Sequence, residues 1–411
     1  MTKVRIMPKG HWDWSMPVTL SQGWKTGDLL FVGGQISADA HGRTVGDDIA
    51  TQTRNVFEFI KRVLDDAGAS MEDVVKHNVY YVFEGDRAGL RDFLARINEV
   101  RMEYFQEPGP VTTETPVAGL AYEGLLIEIE AIAALGPDKQ PLMPKDHWSW
   151  KGAQPFSHGW KVGDLIFIGG QVSADQEGNL LGPGDIASQT RNVFQNLERV
   201  LAEGGADMTN LLRLNTYYQY EGQGRDVTSF WEEMTRVRME HLPTPGPSGT
   251  GVRVLGFPRD GELIQVEGIA HLGLDKRRLM PDGHWDWSMP VPFSQGWKAG
   301  NIVFCGGQIS ADSKGHTVGA GDIAVQTRNV FESINKVLAE AGANMSDVVK
   351  LNTYYHFDGE GSAITEYWEK MTNVRKDYFP DPGPSATAVR VKGYAYEDLL
   401  IEVEAIAVID R

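Results

Sequence analysis

The pattern of apolar and polar residues along the first third of the chain predicts alternating strands and helices. Residues 27–36, GDLLFVGGQI, are a short apolar run ending in Gly-Gly, which indicates a buried strand that stops at a turn. Apolar residues at helical spacing follow Asp48, a good N-cap, and Gly68 is a good C-terminal stop. Residues 73–83 predict another strand, and residues 87–105 predict a second amphipathic helix.

Two more strands are predicted after EPGP, and a short strand around LSQGWKT precedes the rest. This order predicts an α+β unit whose helices cover one face of a sheet. In the last strand, side chains alternate between two faces. We expect the apolar face to meet the helices and the carboxylate face to meet water, a cleft or another unit. The apolar face holds Ile127, Ile129, Ala131 and Ala133, and the other holds Leu126, Glu128, Glu130 and Ile132.

The same unit occurs three times, with a period of about 137 residues, the size of a globular domain. GDLLFVGGQISAD returns as GDLIFIGGQVSAD and GNIVFCGGQISAD, and DIATQTRNVF returns as DIASQTRNVF and DIAVQTRNVF. We therefore predict three tandem domains over residues 1–139, 140–276 and 277–411. The linkers between them are short, which favours domains that pack closely.

Composition narrows the class of partner. The formal net charge is -17, which disfavours nucleic acid, because binding it needs clustered Lys and Arg, and also disfavours anionic membranes. The single cysteine, Cys305, excludes an internal disulfide framework. The N-terminal residues have no apolar core of a signal peptide, and no long apolar run predicts a membrane span. The expectation is a cytoplasmic protein that acts on a small molecule.

The strand with GGQIS, the following helix, DVVK, and the final PGP…IEIEAIA resemble the Rid (YjgF) family of small deaminases in each copy, and so over nearly the whole chain. The resemblance implies a chorismate-mutase-like fold in which three units surround an inner β-barrel, with helices outside and ligand clefts between units. Here the trimer would be fused into a pseudo-trimer, a chain expected to be monomeric. Many members hydrolyse imines or enamines such as 2-aminoacrylate without a cofactor.

The resemblance also implies site residues, and the sequence departs from the family at several of them. The catalytic glutamate matches Glu128 and Glu402, but Gln265 in the second copy, which predicts that one cleft is inactive. The family arginine that holds the substrate carboxylate is replaced by Thr112, Gly249 and Ala386, and the pocket tyrosine by Leu20, Phe156 and Phe293. A second carboxylate is present throughout, as Glu130, Glu267 and Glu404.

Two arginines are candidates to replace the missing one. Arg253 and Arg390 lie four residues further along the same predicted strand, on the same face, and a guanidinium can bind a carboxylate with two hydrogen bonds. If the last two strands form a hairpin, however, Arg390 would lie opposite Glu402 and form a cross-strand ion pair instead. Both interpretations stay open. In the resembled fold, backbone amides of the Gly-Gly pairs also face the cleft, at Gly33, Gly34, Gly169, Gly170, Gly306 and Gly307.

A His-Trp-x-Trp cluster recurs near the start of each copy, as HWDWSMP, HWSWKGA and HWDWSMP. Three interpretations are open: an aromatic core between domains, an aromatic wall for the substrate with histidine shuttling a proton or donating a hydrogen bond, and a metal on the pseudo-threefold axis held by three histidines. No other metal motif is present, so no metal ligand is assigned. The candidate residues are His11, Trp14, His147, Trp150, His284 and Trp287.

Two further motifs receive smaller roles. The arginine of QTRN is expected to form a structural ion pair or a cap on an outward helix. In the NVYY and NTYY strands, one tyrosine should face the core and the other the inner side of the sheet, where it could contact a ligand.

The sequence therefore predicts a cofactor-free hydrolase of an imine, enamine or related C–N bond. The aromatic segments and the missing arginine suggest a substrate larger or more aromatic than 2-aminoacrylate. The alternatives are a non-catalytic binding or scaffold pseudo-trimer and a different hydrolase on the same scaffold. Ribonuclease activity, known for some relatives, fits poorly with the net charge of -17.

Overall fold

The computed structural model describes residues 2–14, 16–150, 154–287 and 289–410. Ser15, Ser288 and residues 151–153, which belong to the repeated aromatic segments, lie outside the described residues. Domain 1 contains β1 (Lys3–Ile6), β2 (Gly23–Thr26), β3 (Leu29–Ile36), α1 (Ile49–Asp66), β4 (Val74–Tyr81), α2 (Arg87–Tyr104), β5 (Val111–Pro116) and β6 (Ile127–Ala134).

The next two domains repeat this order. Domain 2 contains β7 (Lys139–Leu142), β8 (Gly159–Val162), β9 (Leu165–Val172), α3 (Ile186–Glu203), β10 (Leu211–Gln219), α4 (Arg225–His241), β11 (Ser248–Val254) and β12 (Ile264–His271). Domain 3 contains β13 (Lys276–Leu279), β14 (Gly296–Ala299), β15 (Ile302–Ile309), α5 (Ile323–Glu340), β16 (Val348–His356), α6 (Ser362–Tyr378), β17 (Ser385–Val391) and β18 (Ile401–Val408).

The elements predicted from the hydrophobic pattern are confirmed. The Asp48 carboxylate accepts from the Thr51 amide and caps α1, and Gly68 follows the helix end with a φ of 73° that suits glycine. The short edge strands β1, β7 and β13 were not predicted. The predicted domain boundaries fall at the first residue of β7 and of β13, each of which belongs to the following domain's sheet. The boundaries themselves stay a prediction.

In the described residues the strands form three six-stranded mixed sheets, one per domain. The strand order in domain 3 is β13-β14-β15-β18-β16-β17, so β16 lies between the last two strands. The predicted hairpin is therefore wrong. Arg390 on β17 is level with Tyr355 of β16 in a parallel pair, and Glu402 is level with Tyr354 on the other side.

Each domain packs two helices on one face of its sheet. Ile127, Ile129, Ala131 and Ala133 of β6 join a core with α1 and α2, as the alternation predicted. Ile132, on the opposite face, joins a second core shared by all three domains, with Phe167 and Phe304 from the other two sheets. Burial of both sheet faces thus holds each domain together and joins the domains.

A polar centre lies where the three inner faces meet. The hydroxyls of Tyr80, Tyr217 and Tyr354 lie 3.2–3.5 Å from one another, which places the inner tyrosine of each NxYY strand at a common centre. Around them, buried ion pairs link each domain to the next. The pairs are Lys76–Glu267, Arg213–Glu404 and Lys350–Glu130, each with an N···O distance of 2.6 Å.

Across the part of the chain that the structure describes, every helix is too short or too polar to cross a membrane. The single cysteine, Cys305, is buried in the core of domain 3.

Candidate active site in the interdomain clefts

Three clefts lie between neighbouring domains, at positions related by the sequence repeat. Cleft 1 contains Glu128, cleft 2 contains Gln265 and cleft 3 contains Glu402. In cleft 1, domain 1 contributes its aromatic segment, β3 and β6, and domain 3 contributes α6 and β17. Domains 2 and 1 build cleft 2 in the same way, and domains 3 and 2 build cleft 3.

The carboxylate of cleft 1 is buried, with Glu128 only 4% exposed. Its Oε1 accepts from the Ala388 amide of domain 3 at 3.4 Å. A β-carbon at Gly34 would lie 1.9 Å from the same oxygen, so glycine is required there for the carboxylate to fit. Burial raises the pKa of Glu128 to about 8, partly opposed by the charge of Lys350. Glu128 is therefore mostly a neutral acid at neutral pH.

Cleft 3 reproduces this arrangement. Glu402 is 4% exposed, and its Oε1 accepts from the Gly251 amide at 3.3 Å. Burial raises the pKa of Glu402 well above its usual value. Gly307 makes room for this carboxylate as Gly34 does for Glu128.

Cleft 2 differs chemically. Gln265 occupies the glutamate position beside Gly170, and its buried Oε1 has no hydrogen-bond partner. An amide neither donates nor accepts a proton in the neutral range, so this side chain cannot act as a general acid or base.

The Gly-Gly pairs contribute mainly close packing. The amides of Gly33, Gly169 and Gly306 donate to carbonyl oxygens of their own domains at 2.9–3.0 Å, so these three N–H groups are already engaged. The second glycines, Gly34, Gly170 and Gly307, lie where the strand register shifts at a bulge. Ligand contact by a Gly-Gly amide stays a prediction, and it applies best to the second glycine.

The repeated tryptophans fill the domain interfaces and also line the clefts. Trp12 donates to the Gln35 side chain at 2.9 Å and packs edge-on against Trp14. Trp14 in turn packs on Trp368 of domain 3, with ring centroids 4.8 Å apart. Trp14 and Trp368 both line cleft 1, and the cavity between them and the other lining residues is small, about 40 Å³. Interface packing and cleft wall are thus two roles of one cluster.

Cleft 3 has the same aromatic wall. Trp287 packs on Trp231 of domain 2 at 4.9 Å, and Phe293 packs on Trp287 at 6.1 Å. In cleft 2, Trp150 meets Phe156 at 6.5 Å and lines a larger cavity of about 360 Å³. Leu94, which occupies the position of Trp231 and Trp368, lines the same cavity.

The histidines of these segments lie behind the tryptophans. His11 and His284 contact the carbonyl oxygens of Phe59 and Ser333 in their own domains, at 3.4 and 3.3 Å. His147 contacts the Gln171 side chain at 2.9 Å. Burial lowers the pKa of His11 and of His147 to about 4, so both are neutral at neutral pH.

This placement argues against two of the sequence hypotheses. A neutral ring held against its own domain is suited to packing rather than to proton shuttling. The metal hypothesis placed three histidines on the common axis, but tyrosines lie there. Among the described residues, no group of three or more His, Cys, Asp or Glu side chains is placed to hold a metal ion.

Arg390 and Arg253 bind backbone across the interfaces. The Arg390 guanidinium donates to the carbonyl oxygens of Ala118 in domain 1, at 2.5 and 3.1 Å, and of Gly359, at 2.9 Å. Arg253 donates to the carbonyl oxygens of Gly222 and Lys392 at 2.8 and 3.2 Å. These contacts support a structural role for both arginines. Their guanidinium groups bind backbone carbonyl oxygens, which agrees neither with the predicted Arg390–Glu402 ion pair nor with arginines free to bind a substrate carboxylate.

Outside the clefts, Arg54 of the QTRN motif pairs with Glu103 of α2 at 2.6 Å, as expected for an outward structural ion pair.

The sequence reasoning missed an arginine on the second helix of each domain. Arg375 of α6 lines cleft 1 together with Glu128, and Arg238 of α4 is its counterpart beside cleft 3. A signal was present, because Val-Arg recurs in INEVRM, MTRVRM and MTNVRK on helices that are otherwise amphipathic.

The chain matches a family model described as Endoribonuclease L-PSP over residues 16–135, 149–272 and 288–409. The fold and the clefts define a three-domain protein whose candidate site residues lie between neighbouring domains. The three matches show that the chain belongs to the Endoribonuclease L-PSP family. Each match falls within one of the three predicted repeats.

Single domains resemble individual relatives. A RutC family protein of Pyrococcus abyssi is 40% identical over 116 residues, which are 28% of this chain and 85% of the relative. The 3-aminoacrylate deaminase RutC of Acinetobacter baylyi is 33% identical over 136 residues, 33% of this chain and 98% of the relative. A solved chorismatase covers 82% of this chain and 93% of its own, with a TM-score of 0.53 and 15% identity, which shows a shared fold alone.

Proposed function

We propose that this chain hydrolyses a small imine or enamine to a carbonyl compound and ammonia in clefts 1 and 3. The observation that carries the proposal is a carboxyl group buried in each of these clefts, accepting from a backbone amide of the neighbouring domain, with its pKa raised by burial. The deaminase name of a relative that one domain matches over nearly its whole length supports the same reaction class.

The protonated carboxyl suits the first step of such a reaction. Glu128 donates its proton to the imine nitrogen, or to the terminal carbon of an enamine, and an iminium ion results. The carboxylate then accepts a proton from water as the oxygen attacks the iminium carbon, giving a carbinolamine. The same group gives that proton to the amine and takes the hydroxyl proton as ammonia leaves, which forms the carbonyl and restores the protonated carboxyl. One carboxyl thus acts alternately as acid and base and ends protonated as it began, and only water is consumed.

The pH dependence follows from this order of steps. Because free Glu128 must carry a proton to begin, we expect kcat/KM to stay level below pH 8 and to fall about tenfold per pH unit above it. Ammonia release at pH 6 to 9.5, corrected for spontaneous hydrolysis, measures this profile. A rate that rises through pH 8 would instead show that the carboxylate starts the reaction as a base.

Cleft volume sets the substrate size. A cavity of about 40 Å³ in cleft 1 favours a compact substrate, and gives no support to the larger aromatic substrate suggested by the sequence. We expect Trp368→Leu with Trp231→Leu, which copies Leu94 of the roomier cleft 2, to shift selectivity. The ratio of kcat/KM for aromatic over aliphatic imines should rise about tenfold, as expected for changed apolar contacts in a pocket. An unchanged ratio would mean that these tryptophans do not limit substrate size.

A panel of imines and enamines made in situ by an amino-acid oxidase, from aliphatic to aromatic, tests the reaction itself through ammonia release. Acceleration of at least one member supports the proposal. A panel with no acceleration over the oxidase alone would favour the second candidate, a binding pseudo-trimer. Gln265 favours that candidate in cleft 2 only, because the carboxyl group is retained in the other two clefts.

A further inference from the structure

The arginine on the second helix of each domain has different partners in the three clefts. In cleft 1, Arg375 Nη2 donates to the carbonyl oxygens of Thr19 and Pro384 at 3.1 and 3.5 Å. Its Nε is inaccessible to water and has no hydrogen-bond partner. The Nε of Arg238 beside cleft 3 and that of Arg101 beside cleft 2 are in the same condition, so the difference between the clefts lies in the partners of the Nη atoms. Burial lowers the pKa of each guanidinium to about 10, so both remain charged.

A cation partly withdrawn from water without a carboxylate partner is costly, because desolvation is not offset by a nearby opposite charge. Arg375 lines the same cavity as Glu128. Glu128 cannot neutralise it while protonated. The uncompensated guanidinium therefore lies next to the acid that would start the reaction, where an anionic group of a substrate could pair with it.

In cleft 2 the chain itself supplies an anion to the corresponding arginine. Arg101, the counterpart of Arg375, is 1% exposed and forms an ion pair with Glu114 of β5. Its Nη1 also donates to Asn98 at 2.8 Å. The residues that match Glu114 in the other clefts are Gly251 and Ala388, which have no charge.

We propose that Arg375 and Arg238 bind the carboxylate of the substrate in clefts 1 and 3, and that Glu114 occupies the corresponding arginine in cleft 2. A guanidinium offers a fork of donors that matches a carboxylate. The chain then has two anion sites instead of three. The part of the inference that names the substrate rests on the proposed hydrolase function. The part that concerns anion binding by these arginines does not depend on it.

Unreactive probes test anion binding separately from hydrolysis. Difluoroacetate and its neutral analogue difluoroacetamide are titrated into the full chain and followed by fluorine NMR. We expect the native chain to bind difluoroacetate and Arg238→Gln/Arg375→Gln to bind it at least about tenfold more weakly, as for loss of a charge-assisted hydrogen bond. Binding of difluoroacetamide should change little. The Arg238→Lys/Arg375→Lys variant, which keeps the charge, should give an intermediate affinity.

The number of sites is the second readout. Crystals soaked in difluoroacetate should show it in clefts 1 and 3 of the native chain, and in all three clefts of Glu114→Gln. This gain of a site cannot result from misfolding. Equal difluoroacetate affinity in the native and glutamine variants, or a native cleft 2 that is already occupied, would overturn the inference. Anion binding that follows this pattern without imine hydrolysis would leave the inference standing and remove the proposed function.

Discussion

The Glu128→Gln/Glu402→Gln double variant is expected to release ammonia from imines at least about 100-fold more slowly than the native chain, the usual contribution of general acid–base catalysis. Glutamine nearly matches the shape of the protonated side chain, so the amides of Ala388 and Gly251 keep an oxygen to donate to. Only the transferable proton is removed. The measurement is ammonia release on the best substrate of the panel, with the oxidase-only rate subtracted.

The single variants make this prediction more specific. Because clefts 1 and 3 are built from different residues, Glu128→Gln and Glu402→Gln should each retain roughly half of the native rate if the two clefts contribute equally. Gln265→Glu is the matched control, since it places a carboxyl in cleft 2, where Glu114 already occupies Arg101. It should add no activity. A double variant with more than a tenth of the native rate would show that these carboxyls are not the proton carriers.

The divergence of cleft 2 involves two domains at once. Gln265 comes from domain 2, whereas Glu114 and Leu94 come from domain 1, and all three line the same cavity. Each takes the place of a residue type that clefts 1 and 3 share: glutamate, a small residue and tryptophan. Three differences that meet at one cleft are best explained by a changed role of that cleft, since separate losses in each domain would not have to coincide in space.

Local pattern predicted the elements of the fold, because helix caps and strand alternation act within a few residues. The repeat then predicted three domains. The same reasoning could not predict the strand order, because β16, which comes earlier in the chain, lies between β17 and β18 in the sheet. This one error led to the predicted pairing of Arg390 with Glu402.

The site was predicted only in part for a related reason. Family resemblance proposed Glu128 as a site residue, but its cleft is completed by Trp368 and Arg375, which are distant in sequence and come from another domain. On a helix, Arg375 looked like an ordinary surface residue. Its burial depends on domain packing, which periodicity within one domain does not encode.

The largest effect on stability is expected from the ion pairs at the common centre, tested by Arg213→Met. Arg213 Nη2 donates to Glu404 Oε1 at 2.6 Å, and the two side chains are 8% and 1% exposed. Removing the guanidinium leaves a buried carboxylate without its cation, which typically costs about 3–5 kcal/mol. Urea denaturation followed by circular dichroism measures the loss.

Two variants show whether that loss comes from the unpaired charge. Arg191→Met removes an exposed arginine, paired with Glu240 at 3.1 Å, and should leave the denaturation midpoint nearly unchanged, because water already solvates both groups. Arg213→Met/Glu404→Leu removes both buried charges and should recover much of the stability, since well-packed apolar residues often replace a buried ion pair without loss. If Arg213→Met proved no more destabilising than Arg191→Met, the central ion pairs would not be what joins the three domains, and the shared apolar core around Phe167 and Phe304 would have to account for their association.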